Sequence, residues 1–138
     1  MSMIYPMFFL VLMTFVVGMA LGLSRKASVR KRHVNPMYYR LMQGDTPPEY
    51  VSKLDRNFSN LLEVPVLFYV LGAIVIATGI GNTLIVGMAW VYVALRLVHS
   101  AIHITYNYPP HRFLVFLASG LVLLAMWVWL LLAVGGKA

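Results

Sequence analysis

The sequence predicts an all-α integral membrane protein, a bundle of four spanning helices in up-down order, and three observations carry that prediction. Hydrophobic residues make up 61% of the 138-residue chain, charged residues 11%, and the mean hydropathy is +0.81. A soluble domain averages about 25% charged residues. Four apolar stretches of spanning length alternate with polar connections, and a span needs ~20 mainly apolar residues. Finally, eight of the eleven Lys and Arg residues lie between Arg25 and Arg56, directly after the first apolar stretch. Juxtamembrane basic residues of this kind set orientation and meet anionic lipid, so the net charge of +7 does not point to nucleic acid. A single membrane domain over 1–138 leaves no room for a separate soluble one.

The first span is expected over 4–23. Positive charge follows it and none precedes it, the reverse of a secretory signal peptide, so it reads as a retained anchor with its N-terminus away from the cytoplasm. Gly18 and Gly22 form a small-xxx-small pair that permits close approach of another helix. Residues 24–57 read as a polar cytoplasmic loop, with Arg25, Lys26, Arg30, Lys31 and Arg32 on the inner side. Gly44, Asp45, Pro47 and Pro48 mark a turn within it. The positions from Glu49 to Asn57 are able to start a surface helix behind the two prolines.

The second span is expected over 58–80. Arg56, Asn60 and Glu63 fall at i, i+4 and i+7, one helical face. Pro65 removes a backbone donor and is expected to kink this helix or release the carbonyl of Leu61. Gly79, Gly81 and Asn82 make a short turn, so the second and third spans form a tight antiparallel hairpin. The third span, 83–106, ends at Asn107-Tyr108-Pro109-Pro110. The fourth, 113–134, has no ionisable group before Lys137 and reads as scaffold, with Trp127 and Trp129 anchoring its outer half. With nine cations on the inner connections and Lys137 alone outside, both termini are placed away from the cytoplasm.

The candidate site lies on the third span. Arg96, His99, His103 and Tyr106 are spaced by three, four and three residues, one stripe of a helix, with Tyr92 one turn before Arg96. Ionisable groups within a span normally face protein or a wet cavity. Glu63 is the carboxylate within a span and Arg96 the deep cation, so an ion pair between them is expected. Arg25, Arg56 and Arg112 stand at the mouths of spans on the same side. With Asn60, His99 and His103 they would form a cationic pocket suited to a small polyanion, and able to favour a bound thiolate over its thiol. His99 and His103 also form HxxxH, a spacing compatible with a metal or haem, but the pair lacks a third carboxylate or cysteine partner and no metal is expected. The chain contains no cysteine, excluding disulfides and a thiol nucleophile of its own. No glycine-rich phosphate loop is present.

The ordered set resembles the family of membrane-associated proteins in eicosanoid and glutathione metabolism, which includes microsomal glutathione transferases, prostaglandin E synthase, leukotriene-C synthase and the lipoxygenase-activating protein. The resemblance covers nearly the whole chain. It rests on Arg56, Asn60 and Glu63 in the second span, on Arg96, His99 and His103 in the third, and on Arg25 and Arg112 at the edges of the first and fourth. It implies a homotrimer with glutathione, as co-substrate, bound between subunits on the cytoplasmic side. Arg25, Arg56, Asn60, Glu63, His99, His103 and Arg112 are the positions similar to its glutathione-contacting set, with Arg112 at the position thought to stabilise the thiolate. This chain departs from the prostaglandin synthase at Ser59, Phe113 and Phe116, and has His99 and His103 where the leukotriene-C type has tyrosines. The expectation is a membrane glutathione transferase or peroxidase acting on lipophilic electrophiles or hydroperoxides, in a detoxifying role. The alternative is a non-catalytic protein of the same fold that binds lipid or a membrane-protein partner. A bacterial inner membrane is the expected location.

Overall fold

A computed structural model describes residues 2–44 and 46–136 of the chain. The order is α1 (Ile4–Arg30), α2 (Tyr38–Leu41), α3 (Glu49–Leu62), α4 (Pro65–Thr78), α5 (Thr83–Ile104) and α6 (Pro109–Gly135), and no strand occurs among the described residues. Taking α3 and α4 as one interrupted span, four helical segments are long and apolar enough to cross a membrane. Asp45 in the expected turn and Lys137 beyond the fourth span lie outside the described residues.

The first helix runs seven residues past the expected limit at 23, ending at Arg30. Hydropathy marks where lipid stops, not where the helix stops, and Arg, Lys and Ala are good helix formers in water. Its end is a left-handed reversal. Arg32 has φ 57°, its N–H donates to the Val29 carbonyl, and the His33 N–H donates to the Ser28 carbonyl at 2.9 Å. This pair of bonds normally closes on a glycine. The chain then folds back, and α2 docks beside the end of α1 through a 2.8 Å hydrogen bond between Ser28 and Tyr39 hydroxyls. Much of the polar stretch 24–57 is therefore helical, since α3 already begins at Glu49 behind Pro48.

Pro65 divides the second span as its chemistry requires. Glu63 leaves the helical region at φ −87°, ψ −91°, and Pro65 starts α4 at the first helical position, where its missing N–H costs nothing. The turn between α4 and α5 uses Gly79 at φ 65° as the left-handed end of α4, and Asn82 caps α5 by accepting from the Ile85 N–H at 3.1 Å.

The most extensive packing is between α5 and α6 and between α1 and α3. The core is apolar through the half of the bundle away from the α1–α3 connection, where Leu10, Met13, Phe68, Leu71, Val75, Ile85, Tyr92 and Met126 are buried. Phe68 and Tyr92 stack at 4.7 Å. Gly18 meets α3 closely, since a Cβ there would lie 2.8 Å from the Phe58 ring, whereas one at Gly22 would meet nothing within 4 Å. One half of the expected close-approach pair is thus used within the chain.

Candidate functional site

The polar residues gather at the end of the bundle that carries the α1–α3 connection, which we call the basic end. Arg96, His99 and His103 project from one stripe of α5 and are buried, with Arg96 at 0% exposure. The break at Glu63 explains the surroundings of Arg96. A helix running on past Leu62 would satisfy its carbonyls internally; interrupted, it leaves the last ones available, and Arg96 Nη2 donates to the Asn60 carbonyl at 2.9 Å. The expected Glu63–Arg96 ion pair is corrected accordingly: no contact within 4.0 Å joins them among the described residues. The carboxylate of Glu63, on an exposed residue, acts on Arg96 as a more distant electrostatic neighbour.

The two histidines extend this cluster toward α6. Their rings sit 5.8 Å apart and nearly perpendicular, and His99 Nδ1 lies 3.1 Å from the Arg112 carbonyl oxygen, which fixes Nδ1 as the donor. Arg112, in the first turn of α6 behind Pro109 and Pro110, points its Nη1 to Asn107 Oδ1 at 2.7 Å. Arg56, Arg96 and Arg112 are all electrostatic neighbours of His103. Guanidinium groups on α3, α5 and α6 thus all add positive potential at one imidazole. Phe116 closes one side, its ring 5.8 Å from the Arg96 Cζ and 5.8 Å from the His99 ring.

Arg25 stands apart from this cluster. It forms a salt bridge with Asp55, and its guanidinium lies 5.5 Å from the Tyr39 ring. With Arg56, Ser52 and Asp55 it lines a cavity of about 330 Å³ under α2. Arg56 lines this cavity and also acts electrostatically on His103. Asn60 donates to the Arg56 carbonyl at 2.9 Å, so its amide serves the helix in the single chain.

Several buried polar atoms of the cluster have no hydrogen-bond partner: Arg96 Nε and Nη1, His99 Nε2 and His103 Nδ1. Buried guanidinium N–H groups left in this way are expensive, and they are donors suited to carboxylate or thiolate. This donor chemistry fits a small anion. Among the described residues no three His, Asp or Glu side chains come together as metal ligands.

Sequence reasoning did not single out Asp55, Tyr39 or Asn107 as site residues. Asp55 is one position off the Arg56 stripe, and its partner is thirty residues away in the chain, so only the folded packing of α1 on α3 shows it. Asn107 reads as a helix breaker; the five-residue step to Arg112 was the available signal.

Comparison with known protein families matches residues 3–132 to the MAPEG family. The chain belongs to that family. Membership covers nearly the whole chain and all four spans, and agrees with an integral, multi-pass membrane protein of glutathione or eicosanoid metabolism. No match was found among curated proteins or solved structures.

Proposed function

We propose that the protein is a membrane glutathione transferase or peroxidase that activates the glutathione thiol for attack on lipophilic electrophiles or hydroperoxides. The observation that carries this reading is the buried stripe of Arg96, His99 and His103, where Arg96 Nε and Nη1 are left without partners and Arg56 and Arg112 act electrostatically on the same His103. Positive groups around a thiol favour its ionised form. The thiolate sulfur would attack an electrophilic carbon, forming a C–S bond as the leaving group departs, with the thiol proton released to water. Arg112 is the catalytic residue in this reading, and Arg25, Arg56, Asn60, Glu63, His99 and His103 are ligand contacts. The apolar substrate would enter from the bilayer.

A homotrimer belongs to the proposal. Arg56 and Glu63 are exposed on the single chain although they stand on a spanning segment, and a lipid-facing carboxylate is costly. A neighbouring copy would cover that face and enclose the ligand between subunits. The basic end would face the cytoplasm, with both termini opposite, in a bacterial inner membrane.

A second reading has one observation in its favour. Phe116 packs against Arg96 and His99, placing an apolar ring on the donor cluster, as suits a non-catalytic member that binds lipid or a membrane partner.

Calorimetry of glutathione binding to detergent-purified protein, with an ultraviolet difference spectrum for thiolate, separates the readings. Saturable binding with a thiolate signal, both weakened in Arg112→Ala, is the expected result. Binding without thiolate supports the non-catalytic reading, and absence of binding overturns the proposal.

A further inference from the structure

The connection between α1 and α3 carries a second feature that the donor cluster does not use. By helical rise, the 4–23 part of α1 spans about 30 Å, the thickness of a hydrocarbon core. Arg25 and Ser28 then stand roughly 3 to 8 Å beyond its edge, within the headgroup layer. Because Tyr39 bonds to Ser28 and packs on Arg25, α2 is held at that same height.

The exposed side chains of this short segment are apolar and cationic together. Met37, Leu41 and Met42 are 62%, 68% and 47% exposed. Lys31, Arg32 and Arg40 are exposed beside them in sequence. The first two stand at the reversal that closes α1, three and four residues after Ser28, which bonds to Tyr39. Compensating acids are already taken: Asp55 is bound by Arg25, and Glu49 by Lys53 at 2.8 Å. These are the acidic residues described between α1 and the end of α3.

We propose that residues 31–43 form a peripheral site for anionic phospholipid. Lys31, Arg32 and Arg40 bind the headgroup phosphate, while Met37, Leu41 and Met42 enter the acyl boundary. Phosphate suits both ammonium and guanidinium donors, and a basic segment at this depth is attracted by about 1 kcal/mol per cation to an anionic surface. An acidic protein would satisfy the cations but leave three large side chains at lipid height without a lipid partner. The combination of depth, charge and apolar exposure favours the bilayer. Lys31, Arg32 and Arg40, which bind the headgroup, are not among the proposed glutathione contacts.

The test uses the full chain in nanodiscs of phosphatidylcholine alone or of an equimolar mixture with phosphatidylglycerol. Hydrogen exchange over residues 36–43 and native mass spectrometry of retained lipid are the readouts. Slower exchange in the anionic discs and preferential retention of phosphatidylglycerol are expected. Substituting K31Q, R32Q and R40Q should erode that preference by roughly fivefold per cation removed, with unchanged exchange in α5 as the folding control. The variant L41S/M42S should exchange faster in both discs. Equal exchange in the two discs overturns the proposal, as does an unaltered lipid preference in the triple variant. Protection already complete in detergent without phospholipid also overturns it, since another copy of the chain would then cover the segment.

Discussion

Asn107 holds the Arg112 guanidinium through its carboxamide oxygen at 2.7 Å, across the turn between α5 and α6. Asn107 itself is fixed, with φ 51° and its N–H donated to the Ile102 carbonyl at 2.8 Å. Asparagine is among the few residues that adopt the left-handed region readily, so one residue both turns the chain and aims the cation. Asn107→Ala should release Arg112, reducing glutathione-dependent turnover about tenfold, the scale of one hydrogen bond to a charged group. Asn107→Asp keeps the acceptor and should retain turnover. Equal activity in wild type and Asn107→Ala would remove the aiming role.

Arg96 serves the broken second span as a cap from outside. Arg96→Ala leaves the Asn60 carbonyl without its donor and opens space in a buried site, so a loss of about 2–3 kcal/mol is expected. Unfolding in mixed micelles measures it. Arg96→Met restores volume but not the bond and should recover part of the loss. If Arg96→Ala unfolds like wild type, the contact to Asn60 contributes nothing.

The two glycines of α1 should behave differently although they share a face. Gly18→Leu drives a side chain into Phe58 and should cost about 1–3 kcal/mol of folding stability, the usual range for overpacking. Phe58→Ala should relieve part of it. Gly22→Leu has open space within the chain, so monomer stability should be unchanged and any effect should appear as a change in oligomeric mass by light scattering. Equal destabilisation by both would contradict the observed packing of α1 on α3.

The Arg25–Asp55 pair is partly exposed, with side chains 32% and 44% accessible. Its coupling should be small, about 0.5 kcal/mol in a double-mutant cycle. Its larger effect should be on ligand affinity, because Asp55 restrains a cation that lines the cavity shared with Arg56. Asp55→Asn is expected to shift glutathione affinity several-fold at nearly constant stability, read by calorimetry and thermal unfolding in parallel.

The spans were legible because they obey one strong rule, that a bilayer admits long apolar helices. The stripe of Arg96, His99 and His103 was equally legible, since spacing alone puts residues on one helical face. Boundaries at the basic end were not, because α1 continues to Arg30 on helix propensity after hydropathy has fallen. The partner of Arg96 was misjudged for a related reason. Charge complementarity suggests Glu63, but Pro65 breaks the backbone beside it, and a freed carbonyl lies within reach of the guanidinium while Glu63 is exposed. Side chains from distant segments, such as Arg25 and Asp55, carry no local signal of their meeting.

The interruption at Glu63 has a consequence for how such a chain adapts. The half that carries Arg56 and Asn60 ends at Leu62, and the half that packs the apolar core begins afresh at Pro65. The two do not share one continuous ladder of backbone bonds, so lengthening or shortening α4 to suit a thicker or thinner bilayer need not rotate the donor face of α3 against α5. In an unbroken helix each added residue would swing that face by a hundred degrees or so. The break lets membrane fit and site geometry change separately.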